Sequence, residues 1–149
     1  MTDDRRPFDA ILFDIGGTLV DEAPPATPTD ELVVSLLPGV MEDLTALAAV
    51  TRIGAVTNTA VMTEADVRRL LEPSGLSALL EVIVTSVDVG VAKPDPTAIL
   101  RALERLGVTA SERVLYVGNA DTDSAAARAA GVDYVDVSER AVWTTSATN

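Results

Sequence analysis

A chain of 149 residues that is 48% hydrophobic can bury one sizeable core and is short for two, so a single domain over 1–149 is expected. A formal net charge of -12 disfavours nucleic acid and anionic membranes as partners, since both would repel the protein. With no histidine and no cysteine, the chain lacks thiol nucleophiles, disulfides, imidazole or thiolate metal sites and histidine bases, so any metal is held by oxygen, as magnesium or calcium would be.

The opening M-T-D-D-R-R-P lacks the apolar core of a signal peptide and no long apolar span follows, so a cytoplasmic protein is expected. From there, short β-branched runs alternate with segments whose apolar residues recur every three or four positions. The first strand is expected over Ala10–Asp14. Glu22–Asp30 is proline-rich and reads as an irregular loop, extending to about residue 37. A helix follows from about Gly39 to Val50, then a strand over Arg52–Thr57. Thr63 and Asp66 resemble a capping box opening a second helix, which Pro73 and Gly75 stop. The third strand is Val82–Thr85. The third helix takes Asp95 as N-cap and Pro96 at its first position, turns Ile99, Leu100, Leu103 and Leu106 inward, and ends at Gly107. A strand over Val114–Val117, an alanine-rich helix ending at Gly131 and a strand over Tyr134–Val137 complete the series. The tail over 138–149 has no periodicity, and its Trp143 either docks on the core or marks a cut from a longer chain.

This alternation is the signature of an α/β fold: a three-layer, Rossmann-like sandwich with a five-stranded, mainly parallel sheet and helices on both faces. In such sheets ligands bind at the carboxyl ends of the strands. The polar residues expected there are Asp14, then Thr57 and Asn58, then Asp88 and Lys93, then Asn119, Asp121 and Asp123. Taken one at a time, each has a structural explanation as a turn former, a helix cap or a solvated loop residue. Capping alone does not require this chain order of acid, hydroxyl, cation and acid cluster. Lys93 is also the only lysine in the sequence.

That order and the local sequences resemble the haloacid dehalogenase superfamily, a group dominated by phosphatases, over about Phe8 to Val137. F-D-I-G-G-T-L-V-D is similar to its first motif, V-T-N-T to its second, V-A-K-P-D-P to its third and V-G-N-A-D-T-D-S-A-A-A-R-A-A-G to its fourth. P-G-V-M-E-D-L-T-A-L is similar to the helix that precedes the second motif in many members. The resemblance implies a magnesium-dependent phosphohydrolase in which Asp14 is the nucleophile and forms an aspartyl-phosphate. It further implies that Asp14, the Gly16 carbonyl, Asn119 and Asp123 serve the metal, with Asp121 as an alternative to Asn119. Thr57, Asn58, Lys93 and Gly17 would face the substrate, Lys93 also offsetting the local negative charge.

Three departures from the pattern bear on activity. Gly16 stands where phosphatases of the group carry a second aspartate, the proton donor to the leaving alkoxide, and general acid–base help is worth roughly 10²–10⁴-fold. Asn119 replaces a common acid, removing a negative charge near the metal. Only the 22–37 stretch stands where many relatives insert a helical cap, so no substantial cap domain is expected. An open site would admit a phosphorylated macromolecule as well as a phosphorylated small molecule, or would borrow a lid from a second copy or a fused partner domain. The same departures suit an alternative, a regulatory or interaction module that keeps the phosphate and metal site with little turnover. Hydrolysis of 2-haloacids is a further alternative, because halide leaves without a proton.

Overall fold

The structure, a computed structural model, describes residues 8–21, 34–109 and 113–144. Five strands form one sheet: β1 (Ala10–Phe13), β2 (Arg52–Thr57), β3 (Val82–Thr85), β4 (Val114–Gly118) and β5 (Asp133–Asp136). Their spatial order is β3-β2-β1-β4-β5, and every pairing is parallel. The expected three-layer α/β sandwich is therefore present, with a sheet more uniform than expected. The chain runs outward from β1 through β2 to β3, then restarts on the other side of β1 with β4 and β5. That reversal opens a crevice beyond the carboxyl ends of β1 and β4.

β1 is buried on both sides, and its alternate residues divide the core into two faces. Ile11 and Phe13 join Ile53, Ala55, Ile83, Leu115 and Val117 under α1 (Val40–Ala48) and α2 (Glu64–Leu71). Ala10 and Leu12 join Val56, Val82, Val84, Val114 and Tyr116 under α4 (Thr97–Leu106) and α5 (Asp121–Ala130). Between β3 and α4 lies a single turn of helix, α3 (Ser86–Val89), which the sequence pattern does not signal.

The capping box of α2 forms as read: Thr63 Oγ1 accepts from the Asp66 N–H, and Asp66 Oδ2 accepts from the Thr63 N–H. For α4 the expected start shifts by one residue. Pro96 is the N-cap and has no N–H to satisfy, so the Asp95 carboxylate instead accepts from the Thr97 N–H at 2.9 Å. Leu100 is 44% exposed rather than inward, while Ile99, Leu103 and Leu106 are buried as expected.

The tail departs most from its reading. Arg140–Trp143 forms a short helix, α6, and Trp143 is 3% exposed. Its ring meets Phe13 edge-on with centroids 5.5 Å apart, and its Nε1–H donates to the Val137 carbonyl at 3.0 Å. An Arg140–Asp43 ion pair ties the same helix to α1. Trp143 thus docks on the core, one of the two outcomes left open by sequence.

Residues 22–33 of the proline-rich stretch lie outside the described residues. On its far side, residues 34–37 run back beside the strand-following turn, with Asp21 N–H donating to Ser35 O and Leu37 N–H to Leu19 O, each at 2.9 Å. Among the described residues no further layer stands over the carboxyl ends of the strands, and no helix is long and apolar enough to cross a membrane.

Candidate active site

Asp14 follows the last residue of the central strand, where its N–H still donates to Val117 O of β4 at 3.0 Å. The chain then turns at once. The Ile15 carbonyl accepts from the N–H groups of Thr18, Leu19 and Val20, and Gly17 sits at φ 77°, a left-handed conformation that glycine adopts without a Cβ clash. This turn leaves the Asp14 carboxylate facing the crevice. One oxygen, Oδ1, accepts from the Ile15 N–H at 2.8 Å and from Lys93 Nζ at 3.2 Å. Among the described residues the other oxygen has no hydrogen-bond partner.

Lys93 comes in from beyond β3, and its side chain is only 2% exposed. Burying an ammonium is costly unless it is paired, and here four oxygens surround it. They are Asp123 Oδ1 at 2.7 Å, the Tyr116 hydroxyl at 2.7 Å, Val56 O at 2.9 Å and Asp14 Oδ1 at 3.2 Å. The main chain of Lys93 is held as firmly: its N–H donates to Asn58 Oδ1 at 2.9 Å, and its carbonyl accepts from Asn58 Nδ2 at 3.2 Å. Expected to face substrate, Asn58 instead fixes the lysine, because both ends of its carboxamide are engaged with the Lys93 backbone.

Asp123 serves two structures at once. Its Oδ2 accepts from the Asn119 and Ala120 N–H groups, both at 3.1 Å, which caps the first turn of α5. Its Oδ1 faces Lys93. Gly118 makes this fold-back feasible, since a Cβ there would stand 2.5 Å from Asp123 Oδ2. The cap reading and the site reading of Asp123 therefore both hold, one for each oxygen.

The same bonds bear on metal binding. Both Asp123 oxygens are occupied by protein donors and the side chain is 1% exposed, so it is placed to steady the site rather than to ligate an ion directly. The Asn119 side chain is at the surface, and among the described residues its Oδ1 takes a single bond, from the Thr18 hydroxyl at 3.3 Å. The Gly16 carbonyl and Asn119 Oδ1 are hard oxygen donors with lone pairs to spare, the chemistry that magnesium selects. Among the described residues no three acidic side chains gather into a cage.

Thr57 ends β2 and is 7% exposed; among the described residues its hydroxyl has no hydrogen-bond partner. Asp88, also on the expected rim, is committed elsewhere: its Oδ2 accepts from the Thr85 hydroxyl and the Glu64 N–H, joining α3 to α2. A cavity of about 270 Å³ lies beside it, lined by Thr63, Glu64, Asp88, Arg101 and Arg105. The Glu64 and Arg105 charges there already pair with each other.

Burial raises the Asp14 carboxyl to about 6, and the Asp123 charge adds to the rise; Lys93 and the Ile15 N–H draw it back. Burial likewise pushes the Tyr116 phenol well above its ordinary value, helped by Asp14 and Asp123. Tyr116 is the site residue that the sequence reading missed. It sits inside an apolar strand, and the one available signal was that a fully buried tyrosine needs a partner for its hydroxyl.

The doubly wound sheet thus gathers an aspartate, a buried lysine and a helix-capping aspartate at its switch point. Residues 29–137 match the family model of the haloacid dehalogenase-like hydrolases, and the chain belongs to that family. It is similar to a phosphoglycolate phosphatase of Rhodospirillum rubrum, with 40% identity over 105 residues, 70% of this chain and 42% of that protein. A phosphoglycolate phosphatase of Cupriavidus necator is 41% identical over 99 residues, 66% of this chain and 41% of that protein. The chain thus spans about two-fifths of the length of these curated relatives. In fold it is similar to a hydrolase of the same superfamily from Ehrlichia chaffeensis, with a TM-score of 0.78 at 17% identity, covering 97% of this chain and 99% of that one.

Proposed function

We propose that this protein is a phosphohydrolase that works through Asp14 with magnesium, and that it favours phosphates whose leaving group departs as a stable anion. One observation carries the reading. At the carboxyl end of the central strand, Asp14 has one oxygen tied down by Ile15 and Lys93 and the other unengaged among the described residues.

In the first step Asp14 Oδ2 forms a bond to phosphorus while the bond from phosphorus to the leaving oxygen breaks, and that oxygen departs with the electron pair; in the second, water bonds to the same phosphorus, the bond to Asp14 breaks with its electron pair returning to the carboxylate, and inorganic phosphate leaves. Thr57, whose hydroxyl on the rim is uncommitted among the described residues, donates to a non-bridging phosphate oxygen. Two carboxylates against one ammonium leave the site with a net negative charge of one when all are ionised. A phosphate dianion is therefore repelled unless a cation joins it. The Asp14 oxygen that does not attack, the Gly16 carbonyl and Asn119 would hold magnesium, which when bound screens that repulsion. Lys93 keeps Asp123 and Asp14 from repelling each other. Gly16 brings no side chain to protonate a leaving alkoxide, so aryl and acyl phosphates react faster than alkyl phosphates.

The relatives named phosphoglycolate phosphatases favour a phosphorylated small molecule as substrate. A phosphorylated macromolecule would also reach a site with nothing above it among the described residues, and a second copy or a fused domain would serve as its lid. The test is phosphate release from a panel of alkyl, aryl and acyl phosphates. Release that persists in EDTA or in Asp14→Asn defeats the proposal. A neutral Asn119, held by Thr18, favours a second reading as a phosphate-binding module with little turnover. Tight binding of beryllofluoride without hydrolysis of any panel member would decide for that module. Chloride release from 2-chloropropionate would instead mark a dehalogenase.

A further inference from the structure

An ammonium has three protons to donate, and four oxygens stand within hydrogen-bond reach of Lys93 Nζ. The three shortest contacts run to Asp123, Tyr116 and Val56 O, at 2.7, 2.7 and 2.9 Å. Asp14, at 3.2 Å, is the longest and lies outside the usual range of a charge-assisted bond, about 2.7–2.9 Å. The proposed nucleophile is thus the acceptor that Lys93 serves least.

Tyr116 is the group that tips this balance. Its single hydroxyl proton has Val56 O at 2.9 Å and Asp123 Oδ1 at 3.5 Å as acceptors, and since an ammonium has no lone pair, toward Lys93 the phenol oxygen acts as an acceptor. The ring is fully buried, lies 5.3 Å from Nζ and stacks on Tyr134 with centroids 6.3 Å apart, which leaves the phenol no room to swing away. Without that oxygen, three protons would face three acceptors, one of them Asp14. The Asp14 contact would then close to the charge-assisted range, and the ammonium would hold electron density that the nucleophile has to give to phosphorus.

We infer that Tyr116 is a positioning residue: it takes one N–H of Lys93 and so keeps Asp14 from closing into a full ion pair, which preserves its nucleophilicity. The inference rests on the proposed reaction through Asp14.

The test uses Tyr116→Phe, which keeps the ring and its stacking. Because Lys93 is the only lysine, protein grown with lysine labelled at the ζ nitrogen gives a single ammonium resonance. The expected results are a shift of that resonance and a fall in kcat on an aryl phosphate of about tenfold, equivalent to about 1.4 kcal/mol of barrier, with KM within about twofold. An unshifted resonance overturns the inference whatever happens to turnover, and so does a shifted resonance with unchanged kcat. If the wild type releases no phosphate, the proposed function falls, and the resonance alone then decides for or against Tyr116. Should Tyr116→Phe fail to fold, 3,5-difluorotyrosine at position 116 keeps the shape, weakens the oxygen as an acceptor and must shift the resonance in the same direction.

Discussion

The Asn58 carboxamide closes a ring with the main chain of Lys93, accepting from its N–H at 2.9 Å and donating to its carbonyl at 3.2 Å. A residue at the end of β2 thereby sets where the loop beyond β3 delivers its lysine. Asn58→Ala removes both bonds, each worth about 0.5–1.5 kcal/mol net. We expect urea denaturation to report a loss of about 1–2 kcal/mol, and phosphate release to fall by more than that loss explains, because Lys93 is no longer held. An activity loss no larger than the unfolded fraction accounts for would show that the ring is structural only.

Lys93 itself is a stronger case. Lys93→Met leaves Asp123 and Asp14 facing each other in a buried setting, and removing one partner of a buried ion pair costs about 3–5 kcal/mol. Combining Lys93→Met with Asp123→Asn should restore part of the stability, since the uncompensated charge goes with it. Equilibrium unfolding of the two single variants and the double variant measures the coupling; additive losses would mean that the pair does not act as a unit.

Trp143 fastens the last described helix to Phe13, the residue before Asp14. Trp143→Ala should lower stability by about 3–5 kcal/mol, as for other large-to-small changes in a core. A thermal melt within a degree of the wild type would contradict the docked position.

Glu64 supplies a pH test away from the site. Burial raises its carboxyl, but bonding and charge from Arg105 and Arg68 outweigh that and hold it below its ordinary 4.5. A carboxyl lowered by folding adds stability above its unfolded value, and this is lost as pH falls through the folded one. The stability difference between wild type and Glu64→Gln should therefore be constant near neutrality and shrink below about pH 4.5. A difference that grows on acidification would reverse the sign of the argument.

The strand and helix alternation was legible because parallel strands buried on both faces read as short β-branched runs, and Asp14 and Thr57 stand at the ends of such runs. Lys93, from the loop beyond α3, and Asp123, from the first turn of α5, come to the same end of the sheet as Asp14. What each side chain does there was less legible. Asn58 turns back to the Lys93 backbone and Asp123 divides its oxygens between α5 and Lys93, and both choices depend on loops that meet only after folding. Tyr116 was hidden because a strand pattern records its ring as apolar and says nothing of its hydroxyl. α6 escaped notice because a four-residue helix has no period to detect; it owes its form to the docking of Trp143. Leu100 fits the helical stripe of α4 but falls at its edge, where no neighbouring element covers it.

Asp123 also constrains how this protein can vary. Because one oxygen begins a helix and the other answers the only lysine, a substitution there changes architecture and charge together. Asparagine would keep a cap while surrendering the ion pair. Lys93, Gly118 and Asp123 are therefore expected to change in concert or not at all, a lysine and a distant glycine–aspartate pair that descent must treat as one.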